Sequence, residues 1–298
     1  MKLSACNSIE VSASVLQVRP LWADCLELVK ARLTFLVLLT TFCGFYLAGG
    51  RDLALGIHLL LGTACVACSA AILNQLIEKE WDAEMQRTAN RPIPGGRISP
   101  AAALWSGFAL GLGGLLYLFY AVNLLTAALA AVTLGSYLYV YTPLKRITHL
   151  NTLVGAIPGA LPPLIGWAAV QPRLSVEAWA LWAILFCWQL PHFLAIGYLY
   201  EEEYRHAGFC MLASVDSDGK TSGRQALIYS AVLLPLVFFF LKGQSIWMLL
   251  PAVVLGVWLM KRAFDFYRRP GKLSARRLFL ASILYLPLLF VLFCVARS

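Results

Sequence analysis

Apolar residues in this chain come in long blocks, and charged residues fence one block from the next. The blocks lie between Arg32 and Arg51, Leu53 and Ile77, Arg97 and Lys145, Arg146 and Arg173, Glu177 and Glu201, Arg224 and Lys242, Lys242 and Lys261, and Arg277 and Arg297. A helix that crosses a bilayer needs roughly 20 apolar residues. The third block is about twice that length and has a natural break near Ala121-Val122-Asn123, so the pattern predicts nine spanning helices. The expected fold class is therefore all-α, a polytopic membrane protein. A short tail is expected over residues 1–24 and a single transmembrane domain over 25–298.

Composition supports that reading. The chain is 60% hydrophobic and 13% charged, against about 25% charged in ordinary globular proteins. With the N-terminus placed on the cytoplasmic side, only Arg51, Arg173, Lys242 and Arg297 of the 24 Lys and Arg residues fall outside. Such asymmetry sets orientation. The net charge of +9 is then an orientation signal and an attraction to anionic lipid, and it implies no nucleic-acid partner. Residues 1–24 lack the apolar core of a signal peptide and the arginine content of a transit peptide. A bacterial inner membrane is expected rather than a mitochondrial one. Of the eight cysteines, only Cys65 and Cys68 have a metal-like spacing. They lie within a span without a second pair, which favours packing by small residues.

Chemistry concentrates just beyond the second block. If the helix of Leu53 to Leu73 continues, Asn74, Glu78 and Asp82 stack on one face at four-residue intervals. Oxygen ligands in that register at a membrane surface suit Mg²⁺, which is held by a few carboxylates together with phosphate oxygens and water. Arg87 and Arg91, also four apart, carry guanidinium forks matched to phosphate. Pro92-Ile93-Pro94-Gly95-Gly96 stops the helix, and Ser99-Pro100 reads as an N-cap followed by proline at the first helical position. A solvated charged face is the plainer explanation for any one of these residues. The strict register of acids followed by arginines argues for a site.

Other stretches extend it. Lys145 and Arg146 end the fourth span on the same side, either as a positive-inside pair or as further phosphate clamps. Asn151 to Pro163 holds too many helix breakers for a plain span, and irregular backbone at membrane depth belongs where it lines a cavity. Glu201, Glu202, Glu203 and Tyr204 open a second acidic loop, four spans after the first and so on the same face. The two loops contain nine of the fifteen acids in the chain. Asp216-Ser217-Asp218-Gly219 lacks the later ligands of a Ca²⁺ loop and reads as a turn. His192, inside the sixth span, is either a functional-site residue, as an ionisable group at membrane depth suggests, or a hydrogen-bonded core histidine.

Asn74-x-x-x-Glu78-x-x-x-Asp82, with Arg87-Thr-x-x-Arg91-Pro and Gly96-Arg-x-Ser-Pro, resembles the first acidic motif of the UbiA-type intramembrane prenyltransferases. Tyr141-Thr-Pro-x-Lys-Arg, Gly159 to Trp167, Trp188-Gln-x-Pro-His-Phe and Glu203-Tyr-x-x-Ala-Gly bring the wording closest to the haem O synthase branch. The resemblance covers about Lys30 to Arg297. Phe209-Cys210 and Ala213-Ser214-Val215 depart from the usual second loop, and Glu78 stands where most other branches have Asp.

The resemblance implies a helical bundle with cytoplasm-facing active-site loops, Mg²⁺ as cofactor, and farnesyl diphosphate and haem B as substrates. Asn74, Glu78 and Asp82 would be catalytic, with Glu78, Asp82 and Glu203 as metal ligands. Arg87, Arg91, Lys145 and Arg146 would hold the diphosphate, His192 would contact haem, and a haem A synthase would receive the product. An enzyme acting on an aromatic or quinone-precursor acceptor, and a haem carrier without catalysis, are the alternatives left open.

Overall fold

The computed structural model describes residues 20–216 and 218–297, so the tail expected at the N-terminus lies almost wholly outside the described residues. In chain order the helices are α1 (Leu21–Leu28), α2 (Ala31–Leu47), α3 (Leu53–Ile77), α4 (Lys79–Glu84), α5 (Pro100–Ala121), α6 (Leu124–Gly135), α7 (Thr142–Leu144), α8 (Asn151–Gly159), α9 (Pro162–Val170) and α10 (Val176–Leu199). Then follow α11 (Glu201–His206), α12 (Leu212–Val215), α13 (Lys220–Phe240), α14 (Ile246–Arg268) and α15 (Lys272–Ala296). The described residues contain no strand. Eight helical segments are long and apolar enough to cross a membrane, and the bent pair α1–α2 makes a ninth.

Side chains punctuate these helices where the sequence offers oxygen caps. Asp52 Oδ1 accepts from the Ala54 and Leu55 amides, and Ser99 Oγ from Ala102, directly before Pro100. Asn123 splits the long third block as its pattern suggests, because its Oδ1 accepts from the Thr126 amide while its Nδ2 donates to the Ala168 carbonyl. These caps satisfy backbone donors that a helix start leaves unpaired. Asp216 accepts from the Thr221 and Ser222 amides at 3.2 and 2.6 Å, so this acid serves the start of α13 as a turn residue.

Packing runs in helix pairs: α3 along α5, α2 along α9, α10 against α13 and α15, and α14 against α13 and α15. Small residues set the closest approaches, as in other membrane bundles. Side chains of α3 occupy the space a Cβ would take at Gly107, Gly111 and Gly114 of α5, whereas Gly113 faces open space. Gly44 and Gly166 let α2 and α9 touch backbone to backbone. The largest core centres on α10, α13, α14 and α15, with Tyr285, Phe266 and Phe293 fully buried.

Two breaks in helical geometry shape the membrane-facing end that matters for chemistry. Between α1 and α2 the chain bends by 49°, with Lys30 in the left-handed region at φ 49°, where a non-glycine residue is uncommon. Gln75 Nε2 donates to the Glu27 and Leu28 carbonyls, and Thr34 Oγ donates to the Val29 carbonyl. Those bonds take up carbonyls left over at the end of α1. The second break is a π-helical turn, Ser136–Tyr141, between α6 and α7. Such wide turns are frequent at functional sites.

Candidate active site

The register proposed for the acidic stripe survives a one-residue interruption. Glu78 ends α3 with φ −92° and ψ 4°, outside helical geometry. Even so, its amide donates to the Asn74 carbonyl at 3.0 Å, and the Asp82 amide donates to the Glu78 carbonyl at 2.8 Å. Asn74, Glu78 and Asp82 are all buried, at 0%, 4% and 1% exposure. Carboxylates are almost never this buried without partners.

Each has one. Lys145 Nζ lies 2.7 Å from Glu78 Oε1, and Arg91 NH1 lies 2.5 Å from Asp82 Oδ2. Asn74 Oδ1 accepts from Lys30 Nζ at 2.6 Å, while its Nδ2 donates to Thr142 Oγ1 at 3.2 Å. Thr142 in turn donates to the Tyr137 carbonyl at 2.8 Å. The result is a row of three oxygen ligands, each held by a cation from a different part of the chain. Burial pushes the Asp82 carboxyl above its ordinary pKa range, against the pull of Arg91. Burial also disfavours the Lys145 ammonium, but the adjacent Tyr141 and Glu78 outweigh it, and its pKa rises.

The arginines do not continue the helical register. α4 ends at Glu84, before the proline-glycine stop, and Thr88 Oγ1 bonds back to the Asp82 carbonyl at 2.8 Å. That turn brings Arg91 back to Asp82 and sends Arg87 elsewhere. Arg87 NH2 donates to the Tyr204 hydroxyl at 3.2 Å, and its guanidinium lies 5.5 Å from the Tyr200 ring. Arg146 packs over the Trp81 ring at 4.5 Å. Of the four proposed diphosphate clamps, Arg91 and Lys145 therefore touch the stripe, whereas Arg87 and Arg146 tie its edges to the loops around it.

The second acidic loop docks beside the first. Met85, Ala207 and Phe209 form a small buried cluster with Trp81, Tyr204 and Met211 around it. The Cys210 amide donates to the Lys145 carbonyl at 2.7 Å, and Asn151 Nδ2 donates to the Cys210 carbonyl at 2.7 Å. Within the loop, Glu202 is exposed and 4.0 Å from Lys272, and Glu201 is 3.9 Å from Arg205. Glu203 is half-buried, with an Oε2 that finds no hydrogen-bond partner.

That orphaned oxygen, and the amide and carboxylate oxygens of the stripe, are the hard donors Mg²⁺ takes. Glu78, Asp82 and Glu203 do not close into a cage on their own. Among the described residues no three His, Cys, Asp or Glu side chains form a group able to hold a metal. A set this open suits a cation that shares its coordination with phosphate oxygens and water.

His192 lies apart from this row, on α10 facing α15. Its Nδ1 is 2.8 Å from Ser282 Oγ, and its ring stacks on Trp188 and leans on Phe279. Cys65 and Cys68 are free thiols. Sequence reasoning missed Lys30, Thr142 and the π-turn that positions Tyr137, Tyr141 and Thr142. With Asp24, Glu27 and Arg32, Lys30 looks like an interfacial lead-in to the first span, and the bend at the start of α2 brings it to Asn74. The π-turn has no sequence signature beyond the Tyr137-x-Tyr139-x-Tyr141 repeat, which looks like an interfacial aromatic belt.

Comparison with known proteins shows the family and the fold. The model of the UbiA prenyltransferase family matches residues 37–286. A protein of Solibacter usitatus named protoheme IX farnesyltransferase is 41% identical over 287 residues, covering 92% of this chain and 98% of that one. Among solved structures, a study of digeranylgeranylglyceryl phosphate synthase superposes with a TM-score of 0.77 at 16% identity, covering 93% of this chain and 98% of that one. A UbiA homologue from Archaeoglobus fulgidus bound to GPP and Mg²⁺ superposes with a TM-score of 0.63 at 17% identity, covering 91% and 99%. At those identities the structures speak for the fold.

Proposed function

The chain belongs to the UbiA prenyltransferase family, and on that premise we propose that it moves a farnesyl group from farnesyl diphosphate onto haem B. It is a prenyl-transferring enzyme of the membrane, and its sequence places it with the protohaem IX farnesyltransferases. In the finer reading the farnesyl carbon bonds to a haem vinyl group, water adds, and diphosphate leaves. The observation that carries the chemistry is the row of buried carboxylates, each already seated against a cation.

An allylic diphosphate ionises badly in hydrocarbon, since the leaving group takes the negative charge with it. Charge placed in advance where it develops is the largest single aid to such a step. Lys145 and Arg91 supply two such charges at the stripe. Glu78, Asp82 and Asn74, with Glu203 of the second loop, would hold Mg²⁺, which would add a Lewis acid for the diphosphate oxygens. Binding then becomes an exchange of partners. The carboxylates release Lys145 and Arg91, and the freed ammonium and guanidinium turn to phosphate. Tyr137 and Tyr141, brought to the row by the π-turn, offer ring faces to a developing allylic cation. Tyr141 already lies 4.7 Å from the Lys145 ammonium.

His192 is proposed as the contact for haem, with Ser282 holding one ring nitrogen and fixing which nitrogen is free. The chain is proposed to sit in a bacterial inner membrane with its N-terminus in the cytoplasm, and to hand its product to a haem A synthase. Haem extracted from membranes expressing the chain tests the reading. A farnesylated, hydrated haem is the expected species by mass, and a prenylated quinone precursor with unmodified haem would assign the enzyme to another acceptor.

A further inference from the structure

The opposite face of the bundle holds a second charged site that the prenyl-transfer reading does not use. The N-terminus of α2 adjoins the acidic row through Lys30. Its other end, at Tyr46 to Gly49, forms part of a cavity of about 400 Å³. The remaining walls come from the α9–α10 connection and the end of α15. Arg51, Arg173 and Arg297 line this cavity, all of them exposed. These are three of the four basic residues that the topology puts on the outer side, where Lys and Arg are normally sparse. Random scatter over the outer loops would not gather them at one depression, and Glu177 is the only acid in its wall.

The wall is organised rather than loose. Arg51 sits over the Tyr46 ring, with Cζ 3.9 Å from its centroid and NH1 donating to the Tyr46 and Gly50 carbonyls at 2.9 and 3.0 Å. Those contacts fix the plane of the guanidinium and leave its other edge as a donor fork. Trp167 is 5% exposed at the same wall, and its indole nitrogen finds no hydrogen-bond partner. Buried donors of that kind are ordinarily satisfied.

We propose that the Arg51–Arg173–Arg297 cavity is a phosphate-binding site on the outer face, whose ligand is the headgroup of an anionic phospholipid. Arginine forks match the oxygens of a phosphate ester, and the cavity opens at the depth where the outer leaflet carries its headgroups. An occupant would tie the outer ends of α2, α10 and α15 together across the bundle. Free inorganic phosphate presents the same chemistry and is the other source of ligand.

The test uses delipidated full-length protein in detergent, titrated with phosphatidylglycerol or phosphatidylcholine and read by native mass spectrometry. Phosphatidylglycerol is expected to bind at least tenfold more tightly than phosphatidylcholine. Arg51→Gln/Arg173→Gln/Arg297→Gln should lose that preference, while Arg276→Gln/Arg277→Gln on the inner face should keep it. The corresponding triple lysine variant should retain part of it, and it carries the test along with Arg173→Gln if the triple glutamine variant does not fold. Inorganic phosphate that competes with phosphatidylglycerol places the contact at the phosphate group. Phosphate that raises the melting temperature where the lipid does not bind makes the free anion the ligand. Equal binding of both lipids by wild type and by the glutamine variants, with no response to phosphate, overturns the proposal.

Discussion

The two acidic loops pack against one another and are built in opposite ways. In the first, Glu78 and Asp82 are buried and each is matched at 2.5–2.7 Å by a cation from elsewhere in the chain. In the second, Glu201 and Glu202 make ion pairs at 3.9 and 4.0 Å, and Glu203 has an oxygen with no partner. Exposed pairs at such distances contribute little to stability. The first loop is thus assembled before any ligand arrives, and the second still has an unpaired carboxylate oxygen to offer. On the proposed reading, the first loop would set the position of the diphosphate and the second would complete the site with Glu203. Unequal losses from the same kind of substitution on each side would reveal it.

The largest effect is expected at Asp82. Asp82→Asn keeps the shape and an acceptor for Arg91 while removing the charge, so the protein should fold with unchanged helicity. Turnover should fall by about 10²–10³-fold, the range for deleting one preorganised electrostatic contact to a transition state, and Glu78→Gln should behave likewise. Farnesylated haem formed per hour, measured with circular dichroism on the same sample, checks both halves.

Next come the cations. Lys145→Ala and Arg91→Ala each remove a charge-assisted hydrogen bond to phosphate, about 1.5–3 kcal/mol. Affinity for farnesyl diphosphate should drop roughly tenfold to a hundredfold, with haem affinity unaltered. Equal losses for both substrates would indicate general misfolding instead. Glu203→Gln should have a smaller effect, about tenfold or less in diphosphate affinity, and only when Mg²⁺ is present. A loss as large as that of Asp82→Asn would erase the distinction between the loops. The smallest change is expected for Tyr204→Phe, which deletes the 3.2 Å bond from Arg87. It should lower stability by about 0.5–1.5 kcal/mol, read from thermal unfolding, and leave turnover within a few-fold of wild type.

Much of this was legible in the sequence, for physical reasons. Apolar blocks of bilayer length leave little choice but spanning helices, and Asn123 and Ser99 mark their ends because each is a capping residue. The stripe Asn74–Glu78–Asp82 could be placed because four-residue spacing has only one meaning on a helix. The arginines were harder. Arg87 and Arg91 share that spacing, yet the chain leaves the helix at Glu84, and turn geometry rather than register decides where each one points. Lys30 and Thr142 were not legible at all, since a bend and a π-turn bring them to Asn74 from distant segments. The same holds for the outer arginines, which look like single topological charges until the fold gathers them.

The exchange of partners in the first loop is tested most directly by the Mg²⁺ dependence of binding for a non-reacting farnesyl diphosphate analogue. Calorimetry on the wild type should show affinity rising at least tenfold between Mg²⁺-free buffer and saturating Mg²⁺. Asp82→Asn should bind the analogue with nearly the same affinity in both buffers, because the carboxylate that takes up the metal is gone while Arg91 remains. A full Mg²⁺-dependent gain in Asp82→Asn would contradict the account and move the metal away from the stripe.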